Sequence, residues 1–107
     1  MATKFGPCGP WIVLADDVGD PHALGIRAFW NDTLMQESTT DNLIHRVHEL
    51  VSYISHQMTL LPGDLIATGT PSGVGVFRDP PVFLKAGDRV RIEIDQIGAL
   101  ENPVEEG

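Results

Sequence analysis

The sequence predicts an α+β domain that is mostly β, with one amphipathic helix. Three observations carry this reading. Residues 89–94 alternate Val90, Ile92 and Ile94 against Arg89, Arg91 and Glu93, the pattern of a half-buried strand. Ile26, Ala28 and Trp30 alternate with Arg27 and Phe29 in the same way. Only the stretch from Leu43 to Met58 carries a helical period. At 107 residues the chain reads as one small domain, residues 1–107, whose shallow core a partner chain or a further half would help to complete.

Taken in order, the elements follow from local chemistry. Gly6, Pro7, Gly9 and Pro10 make residues 1–10 an irregular lead-in. The apolar run Trp11, Ile12, Val13, Leu14 predicts a short buried strand. Residues 15–21 are turn-rich. Asp16, Asp17 and Asp20 lack the alternation and the closing Glu of a calcium loop, and read as solvated turn residues. After the strand at 26–30, Asn31-Asp32-Thr33 has turn chemistry, and Leu34-Met35-Gln36 returns as the second strand of a hairpin. The turn lacks the Gly that two-residue hairpins favour.

Ser38, Thr39 and Thr40 offer hydroxyls to cap a helix, with Asp41 placed in its first turn. At about 100° per residue, Leu43, Ile44, Val47, Leu50, Val51, Ile54 and Met58 fall within an arc of roughly 120°. His45, His48, Glu49, Ser52 and His56 lie opposite. Leu60-Leu61-Pro62-Gly63 ends this helix. Residues 76–81 are irregular, since Pro80-Pro81 excludes a helix, and Ala86-Gly87-Asp88 turns into the strand at 89–94. Asp95-Gln96-Ile97-Gly98 then reverses the chain, so that 99–102 pair back and Pro103 stops them.

Residues 63–75 read G-D-L-I-A-T-G-T-P-S-G-V-G. An apolar run ends there in a loop with Gly69, Thr70, Pro71, Ser72, Gly73 and Gly75. Backbone N–H groups beside Thr and Ser hydroxyls suit a carboxylate or phosphate. The alternative is a tight connection in which Gly supplies positive φ. A nucleotide loop is excluded, because no Lys follows the last Gly and no helix pattern follows the Gly pair.

A net charge of −8 argues against a nucleic-acid or anionic-membrane surface, and no apolar run is long enough to span a membrane. The single Cys8 forms no internal disulfide, which fits a reducing, cytoplasmic setting. His45-x-x-His48 could share a metal, but the His-Glu-x-x-His motif is absent and these side chains oppose the apolar stripe. His22 sits beside Pro21 with no visible partner. No Gly-x-Ser-x-Gly elbow occurs, and the residues alone show no complete catalytic set.

Several segments together resemble the fumarylacetoacetate hydrolase family: Cys8-Gly9-Pro10-Trp11-Ile12-Val13, Asn31-Asp32-Thr33-Leu34-Met35-Gln36, Thr39-Thr40-Asp41, Leu61-Pro62-Gly63-Asp64-Leu65-Ile66 and Thr68-Gly69-Thr70-Pro71-Ser72-Gly73-Val74-Gly75. Leu84-Lys85-Ala86-Gly87-Asp88 and Ile97-Gly98-Ala99-Leu100-Glu101-Asn102-Pro103-Val104 fit as well, so the likeness runs from about residue 5 to 104.

The resemblance implies a β-roll or distorted barrel of mixed strands, incomplete here. It implies a homodimer, or pairing with a missing N-terminal half. The activity it implies is metal-dependent cleavage, decarboxylation or isomerisation of small 2-oxo and β-dicarbonyl acids in catabolic pathways, aromatic catabolism included. Mg²⁺ or Mn²⁺ would stabilise the developing enolate. By the same resemblance Thr70 matches the substrate-carboxylate position, with Gly69 and Gly73 as substrate-binding neighbours that allow close backbone approach. The family's metal carboxylates, active-site Lys and His–Glu pair lie upstream of the Gly-Pro-Trp segment, so no metal ligand and no catalytic residue is assigned here. Lys4 sits about four residues too late for that Lys. The competing expectation is a non-catalytic scaffold or interaction fragment without the metal site.

Overall fold

The computed structural model describes residues 6–107. Lys4 lies outside them. Among the described residues the order is α1 (Ala15–Val18), β1 (Gly25–Trp30), β2 (Thr33–Thr39), α2 (Val47–Gln57), β3 (Arg89–Ile94) and β4 (Gly98–Pro103), with short 3-10 turns at Thr40–Asn42 and Gly75–Phe77. The strands form one antiparallel sheet in the order β2-β1-β3-β4. The four described strands form an open, antiparallel sheet, where the resemblance implies mixed strands in a roll or barrel.

The predicted hairpin forms, and Asn31 and Asp32 supply the turn at φ 47° and 67° without a glycine. Side-chain amides and carboxylates ease this left-handed backbone. Asn31 also fastens the turn to the neighbouring strand: its N–H donates to the Arg89 carbonyl at 3.0 Å and its side-chain oxygen accepts from the Arg89 N–H at 2.8 Å. Asp88, almost fully buried, closes the same corner by accepting from Trp30 Nε1 (2.9 Å), Asn31 Nδ2 (2.8 Å) and the Lys85 N–H (3.0 Å). Those donors hold its carboxyl below the usual carboxylate range, the Trp30 indole contributing most.

The register places Ile26, Ala28 and Trp30 opposite Ile94, Ile92 and Val90, so one face of the sheet is apolar, as the alternation predicts. The other face is charged: Arg27 pairs with Asp95 (2.7 Å) and Glu93 (3.5 Å), and Arg91 with Glu93 (3.0 Å) and Asp32 (3.3 Å). Arg91 also lies over the Phe29 ring, 4.4 Å from its centroid. The apolar face is only half-buried, and among the described residues only Val18 and Leu24 are buried hydrophobics.

Two expectations fail. Residues 11–14 form no strand, and Trp11, Ile12 and Leu14 are exposed. A strand needs a backbone partner, and here Trp11 is held by its side chain instead, donating from Nε1 to the Ile97 carbonyl at 2.7 Å beside Gly98. The helix, too, begins later than its apolar period suggests. Thr39 caps only the 3-10 turn, while Thr40 is tied to Leu24, the residue before β1: its N–H donates to the Leu24 carbonyl (2.8 Å) and its hydroxyl accepts from the Leu24 N–H (3.0 Å). That tether stops the helix from starting at Leu43, whose ψ is 128°. The helix begins at Val47, where Glu49 accepts the Arg46 N–H at 2.7 Å and His22 Nε2 accepts the Val47 N–H at 3.0 Å. His22 thus acts as an acceptor at a helix start. The helix ends at Gln57, before the Leu60–Gly63 stop read from the sequence.

Candidate functional site: a glycine-threonine loop strapped to a strand bulge

A β-bulge in β2 sets the geometry. Ala28 faces Gln36 but Phe29 faces Leu34, so Met35 is the extra residue. Without this shift Gln36 would pair with Arg27 on the charged face; with it Gln36 stands on the apolar face beside Ala28. From there its Nε2 reaches Thr70 Oγ1 at 2.9 Å and the Pro71 carbonyl at 2.7 Å.

A second strap lies four residues after the motif's Val74. Arg78 donates from Nε to the Gly73 carbonyl at 3.0 Å and from Nη2 to the Met35 carbonyl. The unpaired residue of the bulge thereby spends its carbonyl on the loop. The loop approaches so closely that a β-carbon on Gly73, whose φ is +104°, would overlap the Met35 carbonyl oxygen and press on Gln36 Cγ. A β-carbon on Gly75 would overlap the Val82 carbonyl, which accepts no such neighbour because the Val82 N–H already bonds the Gly75 carbonyl at 2.9 Å. Gly69 differs: its φ is +96°, and the space beside it is open.

Thr68, Gly69, Thr70 and Pro71 line a cleft of about 460 Å³ together with Thr39, Thr40, Asn42 and His45. Ile26 and Leu50 contribute apolar surface to it. Thr70 and Gly69 are exposed, and Gly73 is half-buried. The geometry therefore brings Thr70 and Gly69 to a cleft, with Gly73 behind them as the packing point on β2.

The residues considered for metal binding do not gather. His45 lies outside the helix; His48 stands edge-on to His22 at 6.1 Å; and His56 contacts the Ser52 carbonyl at 2.7 Å. Asp20 accepts from the His22 N–H at 2.9 Å, as a turn residue does. Among the described residues no three His, Cys, Asp or Glu side chains converge. The described residues therefore do not themselves fit a divalent centre. Nothing in the local sequence marks Gln36 and Arg78 as site residues. Gln36 lies inside one of the resembling segments, but its role depends on the bulge.

Residues 1–105 match the fumarylacetoacetate (FAA) hydrolase C-terminal family, and the chain belongs to that family. It is 54% identical over 100 residues to oxaloacetate tautomerase fahd2, mitochondrial, of Xenopus laevis, covering 94% of this chain and 31% of that protein. A putative HpcE protein from Mycobacterium smegmatis superposes with a TM-score of 0.90 at 41% identity, covering 94% of this chain and 37% of that one. Maleylpyruvate hydrolase from Sphingobium sp. SYK-6, in complex with manganese(II) and pyruvate, gives a TM-score of 0.82 at 45% identity, covering 92% and 35%. The chain thus spans about a third of the length of these relatives. The relatives with named activities are hydrolases, isomerases and tautomerases of small oxo acids, which gives the scaffold reading no support. No helix among the described residues is long and apolar enough to cross a membrane.

Proposed function

We propose that this chain is the C-terminal, carboxylate-binding portion of a divalent-metal-dependent hydrolase, isomerase or decarboxylase acting on small 2-oxo or β-dicarbonyl acids. The observation that carries the reading is Thr70 at the wall of an open cleft, on a glycine loop strapped to β2 by Gln36. In this reading Thr70 holds the substrate carboxylate through its hydroxyl. Gly69 leaves the backbone open to close approach, and Gly73 fixes the height of the loop above the sheet.

Magnesium or manganese would supply enolate stabilisation in such an enzyme, and its ligands would come from outside the described residues. The part of this chain is to bind and orient. The exposed Trp11, Ile12, Phe77 and Phe83 and the half-covered sheet face favour pairing, as a homodimer or with an N-terminal half. The lone Cys8 suits a reducing compartment such as the cytoplasm.

Sodium pyruvate titrated into the ¹⁵N-labelled chain tests the reading. The amide signals of Gly69, Thr70 and Gly73 should shift, and Thr70→Val should abolish the shifts. Shifts confined to other residues, or unchanged in Thr70→Val, would refute it.

A further inference from the structure

We infer that Gln36 is a positioning residue that turns Thr70 into a dedicated hydrogen-bond donor toward the cleft. The inference rests on the carboxylate reading of Thr70 and adds to it the group that sets the hydroxyl's direction.

The argument is an inventory of protons. The Pro71 carbonyl can only accept, so the Gln36 atom 2.7 Å away must be the amide nitrogen. That fixes which way round the amide lies. The nitrogen carries two hydrogens, and its second acceptor is Thr70 Oγ1 at 2.9 Å. Thr70 is therefore the acceptor in that bond, and its own hydroxyl proton has no role in it. It is free to rotate into the cleft that Thr70 lines. Accepting one hydrogen bond also strengthens a hydroxyl as a donor. A carboxylate only accepts, so a hydroxyl whose proton is kept for the cleft matches an anion and not a donor ligand. The strap itself is rigid. Gln36 is half-buried on the sheet, and the loop beside it is pinned independently by Arg78 at Gly73.

The second strap makes the inference testable. Arg78 holds the loop without touching the Thr70 hydroxyl, so it serves as the control for mere loosening. The chain, Gln36→Met, Gln36→Glu and Arg78→Met would each be titrated with pyruvate and with methyl pyruvate, its neutral ester, following the amide signals of Gly69 and Thr70. The expected result is a preference for pyruvate over the ester that falls by about five- to tenfold in Gln36→Met, the scale of one ordinary hydrogen bond. Gln36→Glu should lose it further, because Thr70 must then donate to the new carboxylate. Arg78→Met should weaken both probes together and keep the preference.

A parallel loss of both probes in the two Gln36 variants would make Gln36 a strut and overturn the inference, as would a preference unchanged in both. Should Gln36→Met not fold, Gln36→Leu, which also removes the amide and adds no charge, decides in its place. If Thr70→Val leaves pyruvate binding intact, the carboxylate reading itself fails. If Thr70→Val abolishes binding while the Gln36 variants keep the preference, only the present inference fails.

Discussion

The sheet and the glycine loop are held in opposite ways. β1, β3 and β4 share two backbone ladders, the Arg27, Arg89 and Arg91 ion pairs, and the corner at which Asp88 and Asn31 bind each other and both neighbouring strands. The loop at residues 68–75 belongs to no ladder. Two side chains, Gln36 and Arg78, tie it to β2, and Gly73 lets it come close enough to be tied. Redundant contacts give a sheet that tolerates change, whereas sparse ones let single atoms decide where a ligand-facing hydroxyl points.

The comparison breaks most sharply at Gly75. Gly75→Ala places a β-carbon on the Val82 carbonyl, where backbone must shift, and should destabilise by about 1–3 kcal/mol in a urea melt. A neutral result would mean that the loop is looser than its contacts imply. An intermediate effect is expected at the buried corner. Asp88→Asn turns an amide toward the Trp30 and Asn31 donors and should lower the melting temperature at neutral pH.

The sign of the pH dependence follows from the shifts. Asp88 and Asp95 both titrate below the usual range when folded, Asp95 chiefly through Arg27 and then the Gly25 N–H. Their contribution is fully present above the unfolded value of about 3.9, and is lost as the pH falls through the lower folded values. The double variant Asp88→Asn, Asp95→Asn should therefore show a flatter acid limb between pH 5 and about pH 2 in thermal melts. The smallest effect belongs to the charged face. Arg89→Ala removes pairs to Asp32 (3.0 Å) and Glu101 (3.3 Å) that face solvent, and should cost less than about 1 kcal/mol, less still in high salt.

The strands at 26–30 and 89–94, their hairpin partners and the apolar face were legible because period-two alternation is local and the sheet uses it as written. The helix was legible in kind and not in its start. Its apolar period runs through Leu43 and Ile44, yet Thr40 is spent on Leu24: one long-range tether outweighs several residues of helical pattern. Residues 11–14 misled for the same reason, since apolar content marks a strand only where a neighbour supplies the ladder.

By itself the sequence determined the strand faces, the presence of one amphipathic helix, the lack of a nucleotide loop and the placing of Thr70 in a loop of unusual backbone freedom. Those follow from side-chain chemistry and spacing along the chain. The tertiary structure alone decided that a bulge at Met35 turns Gln36 to the loop side, that Arg78 is the second strap, and that His22 starts the helix. Each of these joins residues far apart in sequence, and a one-residue change of register would send Gln36 to the opposite face of the sheet.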